Sequence, residues 1–468
     1  MVQATQGRLQ HSDGTGSVTG IAIDSRRLQP GQAFVALRGQ RFDGHRFVSE
    51  AVHRGAGCLI VSDLSACTNG ARSVPTIVVE DTAQGLGDVA SYHRQRFDIP
   101  LVAITGSCGK TTTKDLIAHL LGGPQVVLKN PGTQNNHIGL PMALLELSDQ
   151  HEMAVVELGT NHPGEIAYLA SIAQPTVSVI TNVGPAHLEY FGSLMDVLQE
   201  KLSLLEELPA DGSAVLPGDQ LDVCLEARNY LPPRVRTVYF GSTERCDIQA
   251  VDVRSVDMPN DRRTVKTPTG MAIRLRDRAQ QFLVPLLGYH NVENALAALA
   301  CAWAMGIPLE TARARLTSFL PLPLRSEVVR CDGVTILNDC YNANPLSFAR
   351  ALEMLRDIQA RRRIAIMGDM LELGSFAPAA HEAIGRLATQ LGIDEIIAVG
   401  EYADHVARGV QDTRRSTPAG ITTYRTVDEL LHGLPSILRR GDGVLVKGSR
   451  RLHLEQVAEF LVQRSRRS

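Results

Sequence analysis

The chain has 468 residues, 44% of them apolar and 21% charged, a globular composition that excludes a largely disordered chain and, at about 100–200 residues per domain, predicts two to four domains. A formal net charge of −3 and only 4% aromatic residues leave no basic, ring-bearing surface for a nucleic-acid partner. The longest apolar run, residues 295–309, is interrupted by Gly306 and Pro308 and falls short of the ~20 residues that cross a bilayer.

Residues 1–97 alternate strand-like and helix-like segments by their apolar period. GIAIDSRRLQPGQAFVALRG reads as two strands around a Pro-Gly turn, HRFVSEAVHRGAGCLIVSD as helix, glycine stop and strand, VPTIVVE as a strand, and the run from Thr82 as a helix leading to Pro100. From Pro100 the order becomes strand, loop, helix. PLVAIT, HEMAVVELG and TVSVITNVG are buried strands with helices between them, which predicts a parallel sheet covered on both faces. Residues 235–285 carry short strands and turn signals, PND at 259–261 among them, and predict an antiparallel patch. GYHNVENALAALACAWAMG is a long alanine-rich helix. After the connector PLPLRSEVV the βα alternation resumes through VTILND, a helix from Pro345, RRIAIMGD, a helix from Ala379, EIIAVG, VLVKGS and a last helix to Phe460. The expected organisation is α/β throughout: a small N-terminal domain over 1–97, a central parallel-sheet domain over 98–318, and a Rossmann-like domain over 319–468.

The opening MVQATQGRLQHSDG lacks the apolar core of a secretory signal, and the eight scattered cysteines form no CxxC pair. Both point to a reducing cytoplasm rather than to a zinc ribbon or a disulfide scaffold. The basic residues are 41 arginines and 6 lysines, and no arginine lies between Arg96 and Arg228 although four of the lysines do. Lysine is a compact point charge that can lose its proton, so in an arginine-biased chain these four positions invite a chemical reading.

TGSCGKTTT, residues 105–113, follows a buried strand and opens a helix. Gly106, Ser107, Cys108 and Gly109 are small enough for backbone N–H groups to reach phosphates. The helix terminus adds positive dipole, Lys110 supplies a charge for the β/γ oxygens, and Thr111 or Thr112 offers a hydroxyl to Mg²⁺. Ile104 stands where GxxxxGK[ST] has its first glycine. Glu157 and His187 each end or follow a buried strand, where parallel sheets build sites, although a loop acid and a lone histidine also have structural uses.

LMDVLQEKLSLLEEL reads as an amphipathic helix with Leu194, Val197, Leu198, Leu205 and Leu208 as its stripe. Lys201 falls on that stripe, so its ammonium must snorkel, pair or become neutral.

The phosphate loop resembles the TGTxGKT[ST] loop of the Mur ligases, ATP-dependent amide-forming enzymes of cell-wall synthesis. NPGTQNNHIGLPMALLEL, ELGTNHPGEI, TNVGPAHLEYFGS, GYHNVENALAALA and NDCYNANPLSFARAL extend the resemblance across all three expected domains, from DSRRLQPGQAFVALRG to VKGSR. YNANP points to the branch that joins D-alanyl-D-alanine to UDP-N-acetylmuramoyl-tripeptide through an acyl phosphate. The alternatives are a diamino-acid-adding or folylpolyglutamate-type ligase, the latter normally lacking the first domain, or an NTPase that makes no bond. The resemblance implies ATP, two Mg²⁺ ions held by Thr111, Glu157, His187 and Lys201, and a CO₂-derived carbamate on Lys201. It assigns Lys110, Glu157, His187 and Lys201 to catalysis, and Asn291, Asn294, Arg325 and Asp339 to the nucleotide. Thr133, Asn135, Asn136, Asn161 and His162 fall to the muramoyl-peptide side, and Asn344 and Lys447 to the incoming amine or its carboxylate. Ser25, Arg26, Asp43 and His45 fall to the uridine-nucleotide end. Read without it, Asn291 and Asn294 are an N-cap and a polar helix face, and the first-domain residues are turn chemistry. GDMLELG, from Gly368, also matches but yields no role for Asp369 or Glu372. The expected partners are the two small-molecule substrates, for a cytoplasmic monomer without nucleic acid or membrane span. The connector at Pro321–Pro323 is expected to hinge, bringing Arg325, Asp339 and Lys447 to Lys110.

Overall fold

The computed structural model describes residues 1–11, 16–39, 42–67, 73–257, 269–276, 281–413 and 419–465. The PND turn signal lies outside them. Three sheets organise the chain. The first has five strands in the order Arg8–Gln10, Thr76–Val78, Cys58–Val61, Ala33–Val35, Ile21–Ala22; only the Arg8–Gln10 edge is antiparallel. The two strands flanking Pro30-Gly31 therefore run parallel rather than as a hairpin. A 3-10 turn at Ser25–Arg27 reverses the chain first, and Gly31, at φ 86°, then closes the Pro-Gly turn.

The second sheet has nine strands. Third from one edge lies Leu101–Thr105, fully buried, between Met153–Glu157 and Val177–Ile180, both parallel to it. These strands read as continuous apolar runs because helices cover both faces. The antiparallel patch is narrower than 235–285. Arg236–Gly241 extends the parallel sheet, and only Ile248–Asp257, Thr269–Leu275 and Gln281–Val284 pair antiparallel. The third sheet has six strands, parallel except for the edge Glu327–Cys331, with helices Pro345–Asp357 and Ala377–Gln390 among those packed on it. The last helix runs to Ser465, past Phe460. One contiguous apolar core reaches from Val102 and Ile104 through Ala295 and Leu299 to Phe348, Leu352 and Ile396, so the second and third sheets share buried surface.

The stripe around Lys201 holds with one exception. The helix Leu194–Leu202 tightens into a 3-10 turn over Ser203–Glu207, and Val197, Leu198, Leu205 and Leu208 are buried. Leu194 is 51% exposed, because it is the first residue after the Ser193 cap and precedes the turn that meets the core.

The helix Thr82–Arg94 joins the first two sheets. Leu86 and Val89 enter the first domain's core, while Ala90 enters the central one. Gly87 permits that second contact, since a Cβ there would lie 2.5 Å from the Tyr168 hydroxyl. Arg94, buried at the helix end, donates to the carbonyls of Ala173 (3.2 Å), Phe97 (2.6 Å) and Ile99 (2.9 Å). Arg94→Met would leave these acceptors unpaired at a cost of about 2–4 kcal/mol. The expected result is a lower thermal midpoint by circular dichroism, and an unchanged midpoint would contradict the role assigned to Arg94.

Candidate active site

The register sets Ile104 opposite Glu157 and Thr105 opposite Ile180, so the phosphate-type loop and Glu157 leave the sheet at the same edge. Two glycines in the loop are sterically required. A Cβ on Gly106, at φ 151°, would lie 2.0 Å from Thr181 Oγ1, and one on Gly109, at φ 83°, would lie 2.1 Å from Asn294 Oδ1. Ser107 Oγ donates to the Gly184 carbonyl at 2.8 Å, and the Cys108 N–H donates to Asn182 Oδ1 at 3.0 Å. Burial pushes the Cys108 thiol up, so it stays protonated. Lys110 Nζ donates to the Gly106 carbonyl at 2.7 Å, curling its charge over the loop, and burial lowers its pKa.

These residues line a cleft of about 590 Å³. At its floor Thr111 Oγ1 donates to Glu157 Oε2 (2.7 Å) and accepts from Arg325 Nη2 (3.0 Å). Asn135 Nδ2 donates to Glu157 Oε1 at 2.7 Å. Arg325 comes from beyond the proline connector. Leu324 and Ser326 on either side of it hold left-handed backbone, φ 61° and 49°, and its guanidinium stacks 3.9 Å from the Tyr341 ring centroid. The Tyr341 hydroxyl in turn meets Thr133 Oγ1, a second contact between central and third domains. Sequence reasoning missed the support below this floor. Asn130, fully buried, accepts the Glu157 N–H and donates to the Glu157 carbonyl, while Lys114 Nζ clamps the carbonyls of Asn130 (2.8 Å) and Gly132 (2.7 Å). Lys114 also stands in the arginine-free stretch, the one signal that could have marked it.

Among the described residues no group of three or more His, Cys, Asp or Glu is arranged to hold a metal. Mg²⁺ does not need one, since it keeps waters and shares one or two carboxylates with phosphate oxygens. The Glu157 carboxylate beside the Thr111 hydroxyl fits such a site. His187 lines the same cleft at left-handed backbone, φ 53°, and its buried Nδ1 has no well-aligned hydrogen-bond partner although Glu372 Oε2 lies 3.1 Å away. The His187 contact holds the Glu372 carboxyl below the usual carboxylate range. Lys201 is 2% exposed. Burial, and then the nearby Lys110 charge, brings its pKa down to about 7, so the neutral amine is a major form near neutrality. Its neighbour Glu200 faces the other way, accepting from the Gly164 and Ile166 N–H groups and so fixing the loop that carries Asn161 and His162.

On the third-domain wall Lys447 Nζ bonds Asp339 Oδ2 at 2.6 Å and the Asn342 carbonyl at 2.9 Å. Burial raises the Asp339 carboxyl, but Lys447, His290 and the Ser326 N–H together bring the net direction down. Asn344 lines the cleft while capping the helix Pro345–Asp357 through Ser347. Asn294 accepts from Thr113 and donates to Asn291, whose amide donates to the Leu287 carbonyl, so this pair braces the loop helix from behind. A side cavity of about 230 Å³ opens past Cys108 and Gly109, lined by Pro217, Phe240, Gly241 and His290. Burial drops His290 to about 4, leaving it neutral.

Asn136, Asn161 and His162 also line the cleft, though the Asn136 side chain accepts from the Gly139 N–H and the His162 ring lies 4.5 Å from that of Tyr190. Ser25, Arg26, Asp43 and His45 are not brought to it. Ser25 bonds Glu50, Arg26 pairs with Asp24, and Asp43 caps the turn at His45, whose Nε2 accepts from the Ser62 N–H. The Arg26–Asp24 and Asp43–His45 contacts belong to local turns, whereas Ser25 and His45 also tie separate segments of the first domain together. Asp369 accepts from the Glu401 and Tyr402 N–H groups just ahead of the helix Ala403–Gln411.

Three family models match the chain: "Mur ligase family, catalytic domain" over residues 17–94, "Mur ligase middle domain" over 104–302, and "Mur ligase, glutamate ligase domain" over 324–450. The UDP-N-acetylmuramoyl-tripeptide–D-alanyl-D-alanine ligase of Escherichia coli is 34% identical, covering 97% of this chain and 96% of that protein. A crystal structure of MurF from Acinetobacter baumannii superposes with a TM-score of 0.87 at 31% identity, over 99% of this chain and 97% of that one. MurF ligase from Thermotoga maritima in complex with ADP does so at 0.82 and 26% identity, over 97% and 99%.

Lys201, buried near Lys110 but not among the residues lining the cleft, gives a test of the electrostatics behind it. Its folded pKa, about 7, lies below the free value of 10.5, so the unfolded chain holds the extra proton between these limits. The burial cost is full below pH 7 and is relieved as pH rises toward 10.5. With CO₂ excluded, denaturant unfolding should show wild type gaining on Lys201→Met between pH 7 and 9, by at most about 1.4 kcal/mol per pH unit. A difference that stays constant over that range would contradict a buried, neutralising amine.

Proposed function

The chain belongs to the Mur ligase family, and on that premise we propose that it joins D-alanyl-D-alanine to UDP-N-acetylmuramoyl-tripeptide at the expense of ATP in peptidoglycan precursor synthesis. The observation that carries the reading is the meeting, in one cleft, of Lys110, Thr111 and Glu157 from the central domain with Arg325, Asp339 and Lys447 from the third. A P-loop serving only as a nucleotide switch has no need of that third-domain wall. The five-stranded first sheet weighs against a folylpolyglutamate-type ligase.

In this reading the loop N–H groups and Lys110 hold the β- and γ-phosphates, and Arg325 adds charge from across the cleft. Asp339 takes the ribose hydroxyls. The side cavity by Phe240 and neutral His290 takes the base, with Asn291 and Asn294 behind it. The terminal carboxylate of the tripeptide attacks the γ-phosphorus, ADP leaves, and an acyl phosphate forms. The D-alanyl-D-alanine amine then attacks the carbonyl carbon, phosphate departs with the bonding pair, and the amine proton is released. Lys447 and Asn344 sit where they could orient the dipeptide. Thr133, Asn135, Asn136, Asn161 and His162 face the muramoyl peptide, and Ser25, Arg26, Asp43 and His45 belong to the uridine-nucleotide end of the first domain. Two bound Mg²⁺ ions would neutralise the transferring phosphoryl group. Thr111 and Glu157 would hold one, His187 and a carbamylated Lys201 the other. The carbamate requires the neutral Lys201 amine to add to the carbon of CO₂ and lose a proton to solvent, and burial supplies that amine. It would also turn the repulsion between Lys201 and Lys110 into attraction. Closing the third domain over these groups excludes water from the acyl phosphate. A monomer is part of this proposal, and among the described residues no helix is long and apolar enough to cross a membrane. The free cysteines and small soluble substrates support a cytoplasmic site.

Phosphate release should require ATP, UDP-N-acetylmuramoyl-tripeptide and D-alanyl-D-alanine together. Lys110→Ala should lower it at least about a hundredfold with the circular dichroism spectrum unchanged. ATP turnover indifferent to both peptide substrates would contradict the ligase reading.

A further inference from the structure

His187 and Glu372 approach each other from opposite sides of the cleft. His187 heads the short helix Leu188–Phe191 of the central domain, and Glu372 lies in the loop after the third-domain strand Arg362–Gly368. Both hold left-handed backbone, φ 53° and 63°, which is costly for residues with side chains. The loop rests directly on the helix: a Cβ on Gly374 would lie 3.0 Å from Glu189 Cγ. The strained conformations set Glu372 Oε2 3.1 Å from His187 Nδ1, a buried nitrogen with no other polar partner. Nε2 is then the ring nitrogen left for the cleft.

An imidazole that ligates a metal through one nitrogen is commonly held through the other by a carboxylate, which selects the tautomer and fixes the ring plane. We propose that Glu372 is a positioning residue of this kind: the third domain, in closing, sets the His187 ring for metal through the Glu372 carboxylate. This rests on the reading of His187 as a metal ligand. It gives the GDMLELG segment a task and makes the metal site complete only in the closed arrangement. ATP bound to an open molecule would then lack one of its metal contacts until the third domain arrives.

Mn²⁺ serves as the probe, titrated into the full chain with ADP and followed by the loss of the free-ion electron paramagnetic resonance signal. His187→Ala should abolish or weaken one class of bound Mn²⁺. Glu372→Ala should weaken the same class about tenfold or more, and Glu372→Gln, which keeps an acceptor for Nδ1–H, should restore part of the loss. The Glu372 side chain is 53% exposed, so these variants are expected to fold, and thermal melting checks it. If His187→Ala loses a class of Mn²⁺ while Glu372→Ala binds as wild type or more tightly, Glu372 does not position the ring and the inference fails alone. If His187→Ala binds Mn²⁺ as wild type does, the metal reading of His187 fails and takes the inference with it.

Discussion

The cleft is organised around one hydroxyl. Thr111 Oγ1 donates a hydrogen bond to Glu157 and accepts one from Arg325, and these three residues come from the first turn of the loop helix, the end of a buried strand and the far side of the proline connector. A hydroxyl is the one small group that can serve a carboxylate and a guanidinium at once. Its position follows from the parallel register that sets Ile104 beside Glu157, and from the two glycines that let the chain turn between Thr181 and Asn294. Arg325 is the third-domain side chain that bonds the loop helix directly, beside the Tyr341–Thr133 and His187–Glu372 contacts between the same two domains.

The second constraint is the storage of positive charge in a buried setting. Lys110, Lys114 and Lys201 all have pKa values pushed down by burial. Their tasks differ. Lys114 is consumed by two backbone carbonyls and acts as a strut. Lys110 has only the Gly106 carbonyl and remains open to an anion. Lys201 feels Lys110 as a like charge, which adds to the effect of burial in lowering its pKa. Arginine could fill none of these places well. Its charge does not yield to burial, and its fork needs several acceptors where the floor of the cleft offers one or two.

Most of the architecture was legible because its signals are local. Continuous apolar strands before Gly106, Glu157 and Asn182 announced a covered parallel sheet, and the loop motif located its functional edge. Lys201 on an apolar stripe left snorkelling, pairing and neutralisation open; at 2% exposure it does not snorkel, and Leu194 escapes the stripe. What was not legible depends on distant pairing. The strands at Ile21–Ala22 and Ala33–Val35 were legible around their Pro-Gly turn, but their parallel pairing was not, because the turn says nothing about the 3-10 segment before it. Asn130 and Lys114 spend their polar atoms on backbone groups brought near only by the fold, and a lysine that holds carbonyls looks in sequence like one that holds phosphate. Glu372 was without a role for the same reason, since His187, its partner, is 185 positions away in the chain and in another domain.

On the proposed reading, the Thr111 hydroxyl, which links the loop to Glu157 and Arg325, would make nucleotide binding depend on Mg²⁺. Thr111→Val keeps the shape of the side chain and removes only that hydroxyl. Titration calorimetry of ADP binding, in Mg²⁺ and again in excess chelator, tests the claim directly. The variant should bind ADP as wild type does in chelator and lose the tightening that Mg²⁺ confers. A variant that kept the full effect of Mg²⁺ would show that the hydroxyl is structural, and that the site is organised around some other group.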